Sequence, residues 1–442
     1  MSYDSINRRN YIRTIGAGAT IAVAGCSSNG GESDGTGTVT GDTQQESESV
    51  KIGAVYPLSG SSSEAGETIQ RLVENAVNVV NEDHSELDPL VLASDEGLPG
   101  LDGATVEVEF ADHRTDPAQG KTEAERLIDE GTDIILGCFN SSVTKTVSQA
   151  AERAGIPHVT NCSSSPTLTQ RGLDWFFRSA ATNITAVQNQ YQLLQDINEQ
   201  YDADLQSVAI IHEDTEFGSV AADLQEQYAS EYGFELAIDP IAYTASSVSS
   251  LQSQVQRIRS SDADVVLPTS YLRDALLLMN DMKELSYTPK LMCAIGAGFG
   301  QESLREDPVS DYTCSTSAFS QDLREEKPQI GVYSDYVKQE TDITLSFIYM
   351  NAWGGVPTML KAVDNAGTTD PEAIKEELAS YEVATAAKAG MPHGVRYDDK
   401  HDNELAANVV VQDKPNNPKM IWTNQGIISD KLTFPMPSWS DR

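Results

Sequence analysis

Cysteine, histidine and positive charge are all scarce in this chain of 442 residues, which has 5 Cys, 6 His and only 30 Lys and Arg against 67 Asp and Glu. No CxxC pair and no Cys/His cluster occurs, so the usual structural zinc ligands are missing. No histidine has HExxH spacing, and neither a GxSxG elbow nor a Walker-type phosphate loop is present. The signatures of zinc peptidases, serine hydrolases and phosphate-loop enzymes are therefore absent. Gly296-Ala297-Gly298-Phe299-Gly300 begins like a dinucleotide fingerprint, but Gln301 stands where the third glycine belongs. A strand-to-helix turn that needs close backbone approach accounts for these glycines. Past Ala24 no apolar run reaches the roughly 20 residues of a membrane span.

The formal net charge is −37, and the acidic residues are spread along the whole chain, so the excess belongs to a folded surface and not to a tail. Such a surface repels nucleic acid and anionic lipid headgroups, which excludes nucleic acid as a partner. Self-repulsion of this size destabilises a compact state at low salt, whereas at molar salt the Debye length is only about 3 Å. The composition points to a halophilic protein from a salt-loving prokaryote.

What is present at the N-terminus says where the protein works. Arg8-Arg9 precedes an apolar Gly/Ala/Ile/Val run from Ile15 to Ala24, too short to span a bilayer, and then Gly25-Cys26. This order predicts a twin-arginine export signal over residues 1–25. Val23-Ala24-Gly25-Cys26 resembles a lipoprotein box, with Cys26 as the lipidated residue. Residues 26–49, rich in Ser, Gly, Thr, Asp, Glu and Gln, cannot bury apolar surface and read as a disordered tether. About 390 residues remain, enough for two cores. Cys138, Cys162, Cys293 and Cys314 are even in number, and in an oxidising compartment both disulfides and four buried thiols stay open.

From Val50 onward, apolar runs of strand length alternate with segments of helical periodicity. Val50–Tyr56, Thr105–Phe110, Asp133–Gly137 and Pro157–Thr160 read as strands, with helices expected over Glu67–Asn81, Pro117–Glu130 and Val143–Ala154. After Trp175–Arg178 the pattern restarts. Strands are expected at Ser207–His212, Glu235–Pro240, Asp264–Pro268 and Lys290–Ile295, and helices at Ala186–Glu199, Ser219–Tyr232, Val248–Arg259 and Leu272–Leu285. Cys314–Phe319 would cross back, and a long helix around Phe347–Asn365 would return to the first half. Such alternation specifies α/β lobes of parallel sheet with right-handed crossovers.

Ligands of open parallel sheets bind beyond the carboxyl ends of the strands. Two of those loops are rich in hydroxyls: Cys138-Phe139-Asn140-Ser141-Ser142-Val143-Thr144 and Asn161-Cys162-Ser163-Ser164-Ser165-Pro166. Hydroxyls beside free N–H groups at a helix start can hold a carboxylate, or Ser141 and Ser164 can simply cap their helices. Asp112 and Asp116 invite an acid/base reading, but capping before Pro117 is the simpler role.

At these loops the chain resembles the branched-chain amino-acid-binding proteins of ABC importers. The resemblance rests on Ala111-Asp112-His113-Arg114-Thr115-Asp116-Pro117, on Leu136-Gly137 to Thr144 and on Pro166-Thr167-Leu168-Thr169-Gln170-Arg171-Gly172. It extends through Val208–His212 with Phe217-Gly218, Ala366–Ile374 and Val409–Gln412, covering nearly all of residues 50–425 in order. It implies the type I periplasmic-binding-protein fold, two Rossmann-like lobes joined by three hinge crossovers, with lobe 1 formed by 50–179 plus 321–400 and lobe 2 by 180–320 plus 401–431.

The resemblance also implies a non-enzymatic, cofactor-free, monomeric protein. It would bind a small carboxylated ligand, such as a branched-chain amino acid, an amide or an organic acid, and deliver it to ABC permease subunits outside the cell. A sensor subunit signalling through a separate membrane partner is the alternative use of the fold. By the same match, Ser141 would hold the ligand carboxylate, Cys162 would offer its carbonyl, and Ser164 would reach both ligand ends. Ser163 lies between them on the same loop and counts with them, and Phe217 and Tyr271 would close over the ligand. The partner of an α-ammonium would fall at Ile295, which cannot serve one. Asp214, Glu216, Asp274 or Glu302 could substitute from neighbouring loops as the ammonium partner.

Overall fold

The computed structural model describes residues 49–442 except Asn416 and Ser429, so the expected export signal, Cys26 and nearly all of the expected tether lie outside the described residues. Among the described residues no helix is long and apolar enough to cross a membrane.

The first sheet contains β1 (Val50–Tyr56), β2 (Val106–Asp112), β3 (Ile134–Gly137), β4 (His158–Thr160) and β5 (Phe176–Arg178), all parallel, in the order β2-β1-β3-β4-β5. Ile52, Ala54, Ile134 and Leu136 point to one face and Val55 and Ile135 to the other, and all are buried. Burial on both faces is why these strands read as continuous apolar runs without alternation. One face is covered by α1 (Ser63–Asn81), whose stripe of Ile69, Leu72, Val73, Ala76 and Val80 packs on the long helix Tyr349–Ala366. Trp353 Nε1 donates to Asn75 Oδ1 across that seam at 2.8 Å. The other face is covered by α2 (Pro117–Asp129) and α3 (Ser141–Ala154). Asp116 starts α2, its carboxylate accepting from the N–H groups of Ala118 and Gln119 at 2.7 and 2.9 Å ahead of Pro117.

The chain then enters a second sheet built from β6 (Ser207–Glu213), β7 (Glu235–Leu236), β8 (Ile241–Tyr243), β9 (Val265–Thr269), β10 (Leu291–Ile295) and β11 (Cys314–Ser317), flanked by α4 (Asn183–Tyr201), α5 (Glu216–Glu231), α6 (Gln252–Ser261) and α7 (Leu272–Glu284). It returns to the first lobe for the helices Pro328–Thr341 and Tyr349–Ala366 and a small ladder, β12 (Glu382–Val383) with β13 (Val395–Arg396). It crosses a third time to add β14 (Val409–Gln412), β15 (Lys419–Thr423) and β16 (Gly426–Ile427).

Four sequence expectations need correction. The second sheet is not purely parallel, because β14, β15 and β16 run antiparallel beyond β11. Cys314–Phe319 does not itself cross back: Cys314–Ser317 is a buried strand between β10 and β14, and the crossing follows it. The expected strand Glu235–Pro240 is two short strands, with Pro240, which has no N–H to give a ladder, lying just before β8. The helix expected from Val248 begins only at Gln252, because Asp281 captures the Leu251 N–H and the Ser250 hydroxyl just ahead of it. All four cysteines in the described region are buried free thiols.

Candidate functional site

The carboxyl ends of both sheets face one cleft, and the loops that leave β3, β4, β9 and β10 line a narrow cavity there of about 50 Å³. From the first lobe come Phe139, Ser141, Cys162 and Ser164, with Phe347, Ile348 and Asn351 from the start of the long helix; from the second come Phe217, Tyr271, Ile295, Gly296, Ala297 and Thr316. The hinge supplies Ala180 to Asn183 and Asn408. Six of the seven cleft residues expected from sequence, Ser141, Cys162, Ser164, Phe217, Tyr271 and Ile295, are thus brought to one cavity.

Ser163 is not among them. Its hydroxyl is turned into the protein, donating to the Cys138 carbonyl at 2.7 Å and sharing a 2.6 Å hydrogen bond with the Thr144 hydroxyl. It ties the β4 loop to the β3 loop and so positions its neighbours Cys162 and Ser164.

Ser141 is the first residue of α3, where backbone N–H groups lack intrahelical partners. The residue before it, Asn140, makes no side-chain cap, so capping does not consume this helix end. The Tyr271 hydroxyl, from the opposite lobe, lies toward the Ser141 N–H and the Asn140 side chain. Burial pushes the Tyr271 phenol up, which keeps it a neutral donor and acceptor. Its ring bridges the cleft, 5.7 Å from the Phe139 ring of the first lobe and 5.3 Å from the Phe217 ring of the second.

The glycine run Gly296–Gly300 makes this closure possible. A Cβ on Gly298 would sit 2.4 Å from the Tyr271 carbonyl carbon, and one on Gly296 would sit 2.0 Å from the Phe347 ring. Close approach, and not nucleotide binding, explains these glycines.

Among the described residues no acidic or basic side chain lines the cavity. Ile295 ends β10 as an apolar wall. The acidic residues proposed as substitutes are elsewhere: Asp214 accepts from the Ala245 N–H, Asp274 is buried near the Tyr243 phenol, and Glu302 lines a different cavity. Glu216 spans the cleft rim, where Lys145 of the first lobe donates to it at 2.8 Å and the Thr167 hydroxyl donates as well. Burial alone would raise the Glu216 carboxyl, but the hydrogen bonds from Lys145 and Thr167 outweigh it and hold the group below the ordinary range. Glu213, at the end of β6, is buried and pushed up to about 7, although the Thr215 and Gly218 N–H groups favour its ionised form. Among the described residues no cluster of His, Cys, Asp or Glu could hold a metal.

Sequence reasoning missed Phe139, Asn183, Phe347 and Asn351 as lining residues. Asn351 is fully buried, and neither its amide nitrogen nor its carbonyl oxygen has a hydrogen-bond partner among the described residues. Its signal was available as a lone Asn at the head of an otherwise apolar helical run, since such groups are rarely buried unpaired.

A family model described as periplasmic binding protein matches residues 49–414. A "Leu/Ile/Val-binding protein homolog 7" of Brucella abortus is 26% identical over 378 residues, which cover 82% of this chain and 88% of that protein. Among solved structures, a leucine-binding protein from Thermotoga maritima superposes with a TM-score of 0.70 at 19% identity, covering 84% of this chain and 97% of the other. A solute-binding protein of an ABC transporter from R. palustris, solved in complex with benzoate, gives 0.68 at 18% identity, covering 85% and 96%. The fold is the type I periplasmic-binding-protein fold, and the chain belongs to the periplasmic binding protein family, a family of solute-binding proteins and not of enzymes.

Proposed function

We propose that this chain is the extracytoplasmic solute-binding lipoprotein of an ABC importer, and that it captures a small carboxylate between its lobes. The observation that carries the reading is the start of α3, which has no side-chain cap and where the Tyr271 phenol of the other lobe meets the Ser141 N–H, in a cavity lined, among the described residues, by no charged side chain. A helix start with free N–H groups attracts an anion, and a dry neutral cavity strengthens that attraction. The first lobe, 50–179 with 321–400, holds the carboxylate through Ser141 and Ser164, with the Cys162 carbonyl as an acceptor beside them. The second, 180–320 with 401–431, closes by hinge rotation and brings Tyr271 and Phe217 over the ligand, while Glu216 engages Lys145 at the rim. The closed monomer then docks on the permease. The relatives named for leucine, isoleucine and valine, or solved with benzoate, are compatible with a carboxylate as the common feature.

Ser141→Ala and Ser164→Ala should each remove one charge-assisted hydrogen bond worth roughly 1.5–3 kcal/mol, weakening carboxylate binding about tenfold or more with the apo melting temperature unchanged. Calorimetric titration reads this out. A lower melting temperature with unaltered affinity would instead assign both serines to structure.

Anchoring rests on Arg8-Arg9 and Gly25-Cys26. Cys26→Ala should release a folded protein from the membrane fraction, and a variant that stays with salt-washed membranes would refute lipidation. The halophilic reading rests on the −37 charge. It requires stability to keep rising between ~0.1 M and ~3 M KCl, beyond the range that screens ordinary surface pairs, and a flat melting temperature over that range would contradict it.

A further inference from the structure

Two buried amide side chains line the cavity with atoms that have no hydrogen-bond partner among the described residues, and they bear on what else the ligand carries besides its carboxylate. Asn351 exposes none of its surface to solvent, lines the cavity, and has both its donor nitrogen and its acceptor oxygen unpartnered. Asn183, also fully buried and lining the cavity, keeps its Oδ1 unpartnered while its Nδ2 reaches the Phe217 carbonyl. Buried amides are almost always satisfied, so a side chain left with an unused donor and acceptor beside a cavity is shaped for something that enters it.

We infer that Asn351 sets ligand selectivity: it pairs with an uncharged group that both donates and accepts, a carboxamide or a hydroxyl, on a small carboxylate, and the site disfavours the ammonium group of an amino acid. This rests on the reading of the cleft as a carboxylate site. An ammonium ion only donates, so it would leave the Asn351 nitrogen unpaired, and it would be desolvated in a cavity with no carboxylate to balance it. The acid behind the wall does not help, because both oxygens of Glu213 are engaged, one by the Thr215 N–H and the other by the Gly218 N–H and the Thr215 hydroxyl. Ile295 faces the cavity as a further apolar surface. A carboxamide satisfies both atoms of Asn351 at once, and a hydroxyl can do the same by rotating its proton.

The test titrates the whole protein at molar salt with carboxylates on two skeletons that differ only at the far end. Butanoate, 4-hydroxybutanoate, succinamate and 4-aminobutanoate form one set, and benzoate, 4-hydroxybenzoate, 4-carbamoylbenzoate and 4-(aminomethyl)benzoate the other, with leucine alongside. On the skeleton that binds, the carboxamide or hydroxyl compound should bind at least about tenfold tighter than both the ammonium compound and the unsubstituted parent. Asn351→Leu should reduce that ratio to about one. Damage to the fold would weaken all compounds together and leave the ratio standing, and Asn351→Ala carries the same comparison if the leucine variant does not fold. Tightest binding by leucine or another ammonium compound, or a ratio unchanged in the Asn351 variants, overturns the inference and leaves the carboxylate site intact. Binding of none of the carboxylates overturns both.

Discussion

Arg178→Met should lower the unfolding free energy by about 3 kcal/mol, the lower end of the cost of breaking a buried ion pair, because the Asp402 left behind is partly exposed. Arg178 ends β5 and is fully buried. Its Nε and Nη2 donate to Asp402 Oδ1, the former at 2.7 Å, while Nη1 reaches the Ser165 carbonyl and Nη2 also reaches the Thr169 hydroxyl at 2.9 Å. All three nitrogens of the guanidinium are therefore engaged, by Asp402 and by the Ser165–Thr169 segment. Burial lowers the guanidinium pKa from its ordinary value, and the Asp402 charge acts against that shift. Removing the guanidinium leaves the partly exposed Asp402 with the Thr169 hydroxyl as its side-chain partner and frees the loop that carries Ser164, so affinity for a carboxylate should fall with stability. Urea unfolding of Arg178→Met and of Arg178→Met with Asp402→Leu makes the comparison. The double variant should regain part of the loss, since an apolar pair can replace a buried ion pair. A single variant within ~1 kcal/mol of the parent would show that the pair contributes little.

Stability should also fall as the pH rises through the window set by Glu213. Burial raises its folded pKa from 4.5 to about 7. Between those values the folded protein holds a proton that the unfolded chain has released, so folding takes up a proton there. The stabilisation is complete below pH 4.5, is lost progressively toward pH 7, and changes no further above it. A rise of this size corresponds to about 3 kcal/mol. Asp274, pushed up to about 6 from 3.8, acts with the same sign over a lower window. Charging of the −37 surface slopes the same way, but molar salt screens it while leaving a buried carboxyl largely untouched. Glu213→Gln at ~3 M KCl should therefore show a flatter profile than the parent between pH 5 and 8. Parallel profiles would assign the slope to other groups.

Most of the fold was legible because its signals are local. Doubly covered parallel strands are written as continuous apolar runs, their crossover helices as 3.6-residue stripes, and Asp116-Pro117 as a helix start. Where reading failed, the cause was a partner distant in sequence. Asp281 takes hydrogen bonds that would otherwise let α6 start earlier, and β11 is claimed by β14 from almost a hundred residues downstream. The site followed the same division. Ser141, Cys162, Ser164, Phe217, Tyr271 and Ile295 sit at strand ends, where the topology rule sends the eye, whereas Phe347 and Asn351 sit at the head of a helix that reads as core. Ser163 was misplaced because three adjacent serines look alike in sequence, and only the loop's twist turns one inward.

By itself the sequence determined the alternating α/β build, the strand-end loops and the acidic surface, because periodicity and composition act over a few residues at a time. The tertiary structure alone decided which side chains meet. Arg178 finds Asp402 across 224 positions, Lys145 meets Glu216 across the cleft, and the two atoms of Asn351 are left without a partner among the described residues. Hydrophobic patterning records that a residue is buried but not against what, and that choice is made by strand order and by where the chain crosses between lobes.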